Sequence, residues 1–469
     1  MKRSQARLSK TALIMALAGC MVVSATAQQR HDLTVQQAVD YAMKNSVAVR
    51  NALLDVKLQE QTNRDITSAA YPHLNGNIGA TYNPNIAVQS FPNFIGAATY
   101  GVLEAEGVKN GSGVPIVSPT DFGFIQAQFG TKYNATAGLD LSQLLFDGQV
   151  FVGLQARRTS MDWANASVEV TKEVIKANVY KIYYQLVVSK TQIDLLDANI
   201  ALTQKRASDT KAMYENGFAE KLAVDRLDVQ LANFNSEKVR VLNTIATGFV
   251  GLKYLMGMPI KDTVVLTDTI SDEYIKQGAL DASFNYSDRP EFAYAELGKK
   301  LREYDVKRWK LSQIPTVNLT GNYSKNAQRD KFNFFGKGDW FTFSSINLRI
   351  NVPIFNGFST RAKIETARLN LEKTSNSIED LKLNIDNEVE TARLSFSNAI
   401  TSMDFQRKNM ELAERIYDQT KKKFEAGLGS NLEIDQAQTD LKAAQTNYIN
   451  ALYDAIIARI NYMKATGKL

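Results

Sequence analysis

The chain has little of the chemistry that most enzymes need. Its 469 residues include only 1 Cys and 2 His. One cysteine, Cys20, cannot form an internal disulfide or a thiolate metal site, and His31 and His73 do not make a zinc site or a Ser-His-Asp triad. These counts exclude most common hydrolase and metalloenzyme chemistry, and we expect no catalytic residue, metal or cofactor.

Proline, glycine and long apolar runs are also scarce. There are 9 Pro and 26 Gly, which favours long regular elements over loops. No run reaches about 18 consecutive apolar residues, so we predict no membrane-spanning helix in the mature chain. Apolar residues still make up 44% of the chain, which excludes wholesale disorder.

The N-terminus has the features of an export signal at residues 1–27. Basic residues precede an apolar stretch that is too short to span a bilayer, and Ala25-Thr26-Ala27 forms a small-residue cleavage site. A lipoprotein box ending at Cys20, which would make Cys20 the acylated first residue, is the alternative. Removing residues 1–27 takes away four basic residues and no acid, so the net charge falls from +6 to +2. A nucleic-acid partner therefore loses its main support.

The mature chain repeats itself at an offset close to 210 residues. The sequence around Gly217 recurs around Gly427, and the motif at 145–148 recurs at 354–357. We predict a first repeat over 28–257, a linker over 258–284 and a second repeat over 285–469. Each repeat is expected to run helix, strand, loop, strand, long helix, turn and helix. Residues 84–132, rich in Pro and Gly, read as a long loop inserted in the first repeat.

Two segments are almost free of helix breakers. Residues 148–214 and 357–424 would each form a helix roughly 100 Å long at about 1.5 Å per residue. Across 175–214 the seam positions recur alternately every four and three residues, and adding 210 gives the matching seam across 385–424. This heptad spacing predicts coiled coils, because a globular core cannot cover so long a helix.

Four short segments alternate apolar and polar residues. They are 74–82, 133–142, 317–323 and 346–352. The alternation fits transmembrane β-strands, apolar toward lipid and polar toward a lumen, although a soluble two-faced sheet shows the same pattern. Export and aromatic strand ends favour the membrane. Because unpaired edges are not tolerated in lipid and four strands cannot close, several copies must pool strands in a ring. Three copies would give 12 strands.

Several short motifs follow one another in a definite order. They are Leu33-Thr34-Val35-Gln36-Gln37-Ala38-Val39-Asp40-Tyr41-Ala42-Met43-Lys44-Asn45, Ala70-Tyr71-Pro72, Ser142-Gln143-Leu144-Leu145-Phe146-Asp147-Gly148, Arg289-Pro290-Glu291 and Asn351-Val352-Pro353-Ile354-Phe355-Asn356-Gly357. Their order and duplication resemble the outer membrane efflux protein family, the TolC-like channels, over nearly the whole mature chain. The resemblance implies a mixed α/β, mostly α, membrane protein. It would be a homotrimer with a shared 12-stranded β-barrel in the cell outer membrane and a helical barrel in the periplasm.

The resemblance also gives the two glycine-centred turns a role. Residues Gly217, Phe218 and Ala219, together with Gly427, Leu428, Gly429 and Ser430, would dock a periplasmic adaptor, or membrane fusion, protein. The adaptor would join the channel to an inner membrane transporter of RND, ABC or MFS type. From the residues alone, a plain structural turn explains the glycines equally well.

Carboxylates near these turns are candidates for a periplasmic gate. In the family, acids often ring the closed mouth, and Glu433 takes such a position, whereas Gln436 stands where a second acid is expected. Asp225 and Asp435 recur in both turns. They would either face the lumen or be ordinary first-turn acids that the helix dipole stabilises.

Two functions remain open at this stage. The first is an outer membrane exit duct of a tripartite efflux pump or type I secretion system, which passes small molecules or proteins without catalysis. The second is a periplasmic coiled-coil scaffold or adhesin stalk with a soluble β cap.

Overall fold

The computed structural model describes residues 30–270, 272–276, 284–336 and 338–469. The predicted export signal, with Cys20 and the Ala25-Thr26-Ala27 site, lies outside the described residues, as do residues 271 and 277–283 of the predicted linker. Across the described residues, no helix is both long enough and apolar enough to cross a membrane.

Helices dominate the described chain, and strands are fewer. The helices are α1 (Val35–Asn45), α2 (Val47–Ser68), α3 (Phe94–Ala105), α4 (Gly148–Glu215), α5 (Lys221–Met256), α6 (Asp272–Lys276), α7 (Pro290–Leu311), α8 (Ser359–Glu425) and α9 (Asn431–Ala465). The strands are β1 (Arg30–Leu33), β2 (His73–Tyr82), β3 (Val88–Pro92), β4 (Phe124–Gln128), β5 (Tyr133–Phe146), β6 (Thr263–Leu266), β7 (Thr316–Arg329) and β8 (Phe341–Asn351).

The four predicted alternating segments form one antiparallel sheet in the order β2-β5-β7-β8. The register aligns Leu74, Leu141, Gly321 and Ile346 in one row across the sheet. The pairing of β5 with β7 joins the first half of the sequence to the second. Among the described residues of one chain, β2 and β8 each have one edge without a neighbouring strand, so the sheet is open.

The insertion at 84–132 is not the long loop that its composition predicts. Strands β3 and β4 pair as an antiparallel ribbon, and α3 lies between them in the chain. The rings of Phe91 and Phe129 lie 5.3 Å apart, and those of Tyr100 and Phe122 lie 5.6 Å apart. These contacts join residues more than twenty positions apart, which a reading of local Pro and Gly content cannot detect.

The two long helices are confirmed, with 68 residues in α4 and 67 in α8. The heptad seam is buried or half-buried along almost all of its length, and Val179, Thr203, Phe396 and Met403 are fully buried. Tyr214, at the end of α4, is the exception among the seam positions, all of which are described. The burial supports the predicted coiled-coil packing.

The chain divides into two compact units, each built from both halves of the sequence. The first takes the described residues up to Glu60, then Arg158–Leu301 and Leu371–Leu469, and the second takes Gln61–Arg157 and Arg302–Asn370. The second unit contains the four-stranded sheet and the insertion. The first contains the main apolar core.

Tyr183 lies at the centre of the core of the first unit. Its ring is fully buried, its hydroxyl donates to the Leu33 carbonyl oxygen at 2.9 Å, and the Asp268 amide donates to it at 3.3 Å. Burial raises the pKa of Tyr183 to about 12. The tyrosine therefore stays neutral and holds β1, which pairs in parallel with β6, against α4.

Candidate functional site

The turn between α4 and α5, residues 216–220, is called the first tip. Gly217 has a φ of +81°, the left-handed conformation that favours glycine. Its amide donates to the Tyr214 carbonyl at 2.9 Å, and the Phe218 amide donates to the Met213 carbonyl at 2.8 Å. These two bonds close a Schellman helix end. Phe218 is 80% exposed, so the first tip presents an aromatic ring to solvent, followed by half-buried Ala219.

The turn between α8 and α9, residues 426–430, is called the second tip and repeats this geometry. Gly427 has a φ of +74°, and its amide donates to the Phe424 carbonyl at 2.9 Å. The Leu428 amide donates to the Lys423 carbonyl at 3.0 Å, and Leu428 is 77% exposed. Both tips therefore end in a glycine and an exposed apolar side chain.

The two tips differ in how the second helix begins. Ser430 is the N-cap of α9, and its hydroxyl accepts a hydrogen bond from the Glu433 amide at 3.2 Å. Gly429 lies beside the backbone of Phe424, where a Cβ would approach the amide nitrogen to 3.1 Å. In the first tip Glu220 holds the cap position without a side-chain hydrogen bond. The second tip is thus the more firmly defined of the two.

The three candidate gate carboxylates have three different environments. Glu433 is half-exposed and pairs with Lys423 across the second tip at 3.0 Å. Asp435 pairs with Arg206 of α4 at 2.6 Å and is mostly covered. Asp225 occupies the repeat-equivalent position of Asp435, is exposed, and has no ion pair among the described residues. The structure thus does not bring Asp225 and Asp435 together as an equivalent pair.

Arg206 belongs to a polar ladder between α4 and α9 that the sequence reasoning missed. Its guanidinium also donates to the side-chain oxygen of Gln438, whose amide in turn donates to the Thr203 hydroxyl at 2.8 Å. Further from the tips, Asn199 donates to Gln445 at 3.0 Å. Thr203 and Gln438 are fully buried, so these bonds fix the register of the two helices. Polar residues at heptad positions, such as Thr203, were the signal that could have revealed the ladder.

The other side of α9 packs differently. Near the second tip it meets α8 through an apolar cluster of Ala413, Tyr417, Ile434, Ala437, Leu441 and Ala444. Burial raises the pKa of Tyr417, with Arg206 acting in the opposite direction. In this region α9 is therefore joined to α8 by apolar contacts and the Lys423–Glu433 ion pair, and to α4 by hydrogen bonds and the Arg206–Asp435 ion pair.

The Arg289-Pro290-Glu291 motif anchors the end of α9. The Arg289 side chain is only 5% exposed, and its guanidinium donates to the Ala465 carbonyl at 2.8 Å and to a Glu388 carboxylate oxygen at 2.8 Å. It also donates to Glu291 at 2.7 Å. A carbonyl at the C-terminus of a helix has no intrahelical partner, so this arginine satisfies one of them. Within the described residues, no group of three or more His, Asp or Glu side chains could hold a metal ion.

The sheet has two chemically different faces, and the alternation predicted both. The apolar face carries Leu74, Ile78, Leu141, Leu319, Ile346, Leu348 and Ile350. Ile78 is 92% exposed and Ile346 is 84% exposed, so the apolar face is not covered at these positions. The sheet does not fold over an apolar interior of its own there.

The polar face is a network of amides, hydroxyls and one carboxylate. Asp140 accepts from Asn322 at 2.7 Å and also from Asn77, and Thr136 donates to Asn326 at 2.9 Å. These bonds run across β2, β5 and β7. A surface of this kind is suited to contact with water.

Aromatic side chains gather where the strands end away from the long helices. The rings of Tyr82 and Tyr133 stack at 4.8 Å, and Phe332 meets Tyr133 edge-on at 6.0 Å. Aromatic girdles of this kind mark the membrane–water interface of β-proteins that lie in lipid.

Known proteins resemble this chain in sequence and in fold. The model of the outer membrane efflux protein family matches residues 286–468. Outer membrane efflux protein BepC of Brucella suis biovar 1 is 24% identical over 350 residues, which cover 72% of this chain and 73% of BepC. Outer membrane protein TolC of Vibrio cholerae is 20% identical over 341 residues, which cover 71% of this chain and 77% of TolC.

The solved structure of CusC, described as forming a transmembrane channel, superposes with a TM-score of 0.72 at 16% identity. It covers 93% of this chain and 92% of CusC. The likeness establishes the fold: long helices joined to a small antiparallel sheet. In sequence and in fold, this chain therefore resembles the outer membrane efflux protein family, the TolC-like channels.

Proposed function

We propose that this chain is the outer membrane exit duct of a tripartite efflux pump or type I secretion system. Relatives in the family are named as outer membrane efflux proteins, and the protein belongs to the cell outer membrane with its helical part in the periplasm. The duct conducts small molecules or proteins passively, and the transporter supplies the energy.

The observation that carries the proposal is the open, two-faced sheet. One chain supplies four strands with an exposed apolar face and a hydrogen-bonded polar face, and among its described residues β2 and β8 each leave one edge unpaired. Lipid does not tolerate free backbone edges, so β2 of one copy pairs with β8 of the next. Three copies then close a 12-stranded barrel with the apolar face toward lipid and the polar face toward the lumen. A soluble scaffold or adhesin stalk would leave the same apolar face in water.

The two-repeat organisation gives each chain two equivalent hairpins. Repeat one spans 28–257, repeat two spans 285–469, and residues 258–284 link them. The proposal is supported by the matching order of elements and by the matching glycine geometry at the two tips. In a homotrimer six tips surround one periplasmic mouth.

The tips dock the helical hairpins of a periplasmic adaptor, which connects the duct to an inner membrane transporter of RND, ABC or MFS type. Phe218 and Leu428 support this role, because both are exposed apolar side chains on rigid Schellman turns. Binding interfaces are commonly built around an aromatic or aliphatic side chain that enters a pocket on the partner.

A direct test of the duct uses the purified mature protein in planar lipid bilayers. We expect a trimer in mild detergent that conducts ions after reconstitution. Monomeric material that stays soluble without detergent and does not conduct would contradict the proposal.

Docking is tested separately at the second tip. Leu428→Asp should abolish export and cross-linking to the adaptor while leaving trimers intact, since the side chain is already solvent-exposed. Phe405→Asp, an exposed apolar position far along α8, is the matched control and should leave export unchanged. Normal export by the Leu428 variant would exclude docking through this residue.

The gate is the part of the mouth where α9 meets α4. Asp435 ties α9 to Arg206 of α4, and Glu433 adds one further carboxylate per chain. Asp435→Asn should weaken this tie and raise the conductance of the reconstituted channel. Asp225→Asn, at the equivalent but exposed position, is the control. Equal conductance of the two variants would argue against a gating role for Asp435.

A further inference from the structure

The insertion between β2 and β5, residues 83–132, is an ordered substructure. The β3–β4 ribbon, α3 and two aromatic contacts give it a defined shape. Asn93 caps α3 by accepting from the Gly96 amide at 2.8 Å, and Glu104 accepts from the Ser118 amide at 3.2 Å. The chain is therefore held in one conformation, although no large core supports it.

The insertion has many apolar side chains and buries none of them. All of residues 83–132 are described, and no residue in that range is buried. Its large exposed apolar residues are Val88, Phe94, Ile95, Tyr100, Val102, Val108, Val114, Val117, Phe124 and Phe129. Single exposed apolar residues are ordinary, but a concentration of them on one ordered segment marks an interaction surface.

Charge is almost absent from the same segment. Between residues 83 and 132 the charged side chains are Glu104, Glu106, Lys109, Asp121 and Lys132. The stretch 83–103, which includes most of α3, has none. The uncharged stretch 83–103 can meet the same stretch of another copy without bringing like charges together or desolvating them.

The composition of α3 indicates whether lipid or protein covers the exposed apolar surface of the insertion. Its sequence, FIGAATYGVLEA, is apolar around the whole helix, and its one charged residue stands near the C-terminal end. A helix that lies on a membrane surface has a strongly polar, usually basic, face opposite the apolar one. A helix that is apolar on all sides packs inside protein. Ala97, Gly101 and Ala105 share one side of it, which permits close approach of a second helix.

The position of the insertion indicates which protein covers its apolar surface. It leaves the sheet at Tyr82, the end of edge strand β2, and returns at Tyr133. It shares that end of the sheet with the β7–β8 connection, whereas α2, α4, α7 and α8 join the sheet at the opposite end. Under the closure proposed above, β2 borders the neighbouring copy, so each insertion stands at a boundary between copies. Three of them then surround the external exit.

We propose that the insertions of the three copies pack against one another through α3 and form an apolar constriction over the external mouth of the duct. The inference rests on the proposed channel function. It adds a second narrow point, formed by residues 83–132, to the periplasmic gate. The occupant of the exposed apolar surface is the same surface of a second copy.

The cross-linking experiment uses the scarcity of cysteine. The chain has one, Cys20, so after its replacement a single cysteine at Val102 reports contacts of α3 alone. In membranes carrying the intact trimer, Val102→Cys should give cross-linked dimers and trimers with a short bismaleimide. Ser112→Cys, on the exposed turn of the same insertion, is the matched control and should remain mostly monomeric.

The outcomes separate this inference from the proposed function. If no trimer forms, the duct itself is wrong. If the trimer forms and conducts but Val102→Cys does not cross-link, the insertions do not meet and the inference fails. Reaction of that cysteine with a lipid-phase label would identify lipid as the occupant instead, which also overturns it.

Conductance tests the constriction. Val102→Glu places three like charges where the helices meet, so the insertions should separate, the cross-link at a neighbouring cysteine, Ala98→Cys, should be lost, and the conductance should rise. Ser112→Glu adds the same charges on the exposed turn and should change neither. Conductance of the Val102 variant equal to that of the parent channel would show that the insertions do not narrow the exit.

Discussion

Lysine in place of Ile346 distinguishes a lipid-facing sheet from a soluble one. Ile346 is 84% exposed on β8, and it is the third of the five outward-facing positions from Ile350 to Thr342. It therefore lies near the middle of the apolar band. Asn347, the next residue, points to the polar face because side chains alternate along a strand. The pair Ile346→Lys and Asn347→Lys thus differs mainly in which face receives the charge.

The two environments predict very different costs. A lysine on the lipid side of a β-barrel near the bilayer midplane costs about 2–4 kcal/mol per chain. In a soluble sheet both residues would be solvent-exposed, and both substitutions would lie within roughly 0.5 kcal/mol of the parent protein. We expect a loss of about 2–4 kcal/mol for Ile346→Lys and little change for Asn347→Lys.

The assay is a urea titration of the protein folded in phospholipid vesicles, followed by its fluorescence. Ile346→Ser, which removes the apolar side chain without adding charge, separates the loss of packing from the cost of the ammonium group. A free energy of unfolding that falls equally for Ile346→Lys and Asn347→Lys, or for neither, would refute the assignment of the apolar face to lipid.

Three further predictions concern the helical part. Gly257 has a φ of +69°, and a Cβ there would collide with the backbone at the end of α1. Gly257→Ala should therefore lower the free energy of unfolding by about 1–3 kcal/mol. Gly251→Ala, inside α5 with only ordinary contacts, should be neutral or stabilising in the same thermal melt. Burial raises the pKa of Glu173 above its ordinary value near 4.5, so the stability that this group contributes below that pH is lost as the pH rises. Glu173→Gln should therefore raise the Tm at pH 7, and the gain should disappear at pH 4. No gain at pH 7 would contradict this. Ser430→Ala removes the cap of α9 and should cost about 1 kcal/mol, measured as faster amide hydrogen exchange at residues 431–434 and not elsewhere in α9.

Much of the secondary structure can be predicted from patterns of neighbouring residues in the sequence. The absence of proline and of internal glycine across residues 357–424, with a seam at heptad spacing, predicted α8 to within two residues at either end. The alternation in β2, β5, β7 and β8 predicted both the strands and their two faces. These signals are local because helix and strand periods are properties of neighbouring residues.

Contacts between residues far apart in the sequence could not be predicted from local patterns. The composition of 84–132 predicted a loop, and the ring contact between Phe91 and Phe129 instead stabilises a ribbon. Arg206 attracted no attention in the sequence because its partners, Asp435 and Gln438, lie more than 220 residues further along the chain. Asp225 and Asp435 looked equivalent, and only their neighbours distinguish them.

The sequence by itself determined the hydrophobic periodicity, the positions at which helices break and the recurrence of motifs in the two halves. It therefore determined where helices run, where glycine must turn the chain, and which face of each strand is apolar. The tertiary structure decided which segments become neighbours: that β5 joins β7, that the sheet stays open within one chain, and that Asp435 is held by Arg206 while Asp225 is not. The physical reason is the separation along the sequence over which each interaction acts. Backbone preference and side-chain periodicity act over a few residues, whereas pairing, burial and charge compensation depend on groups that only folding brings together.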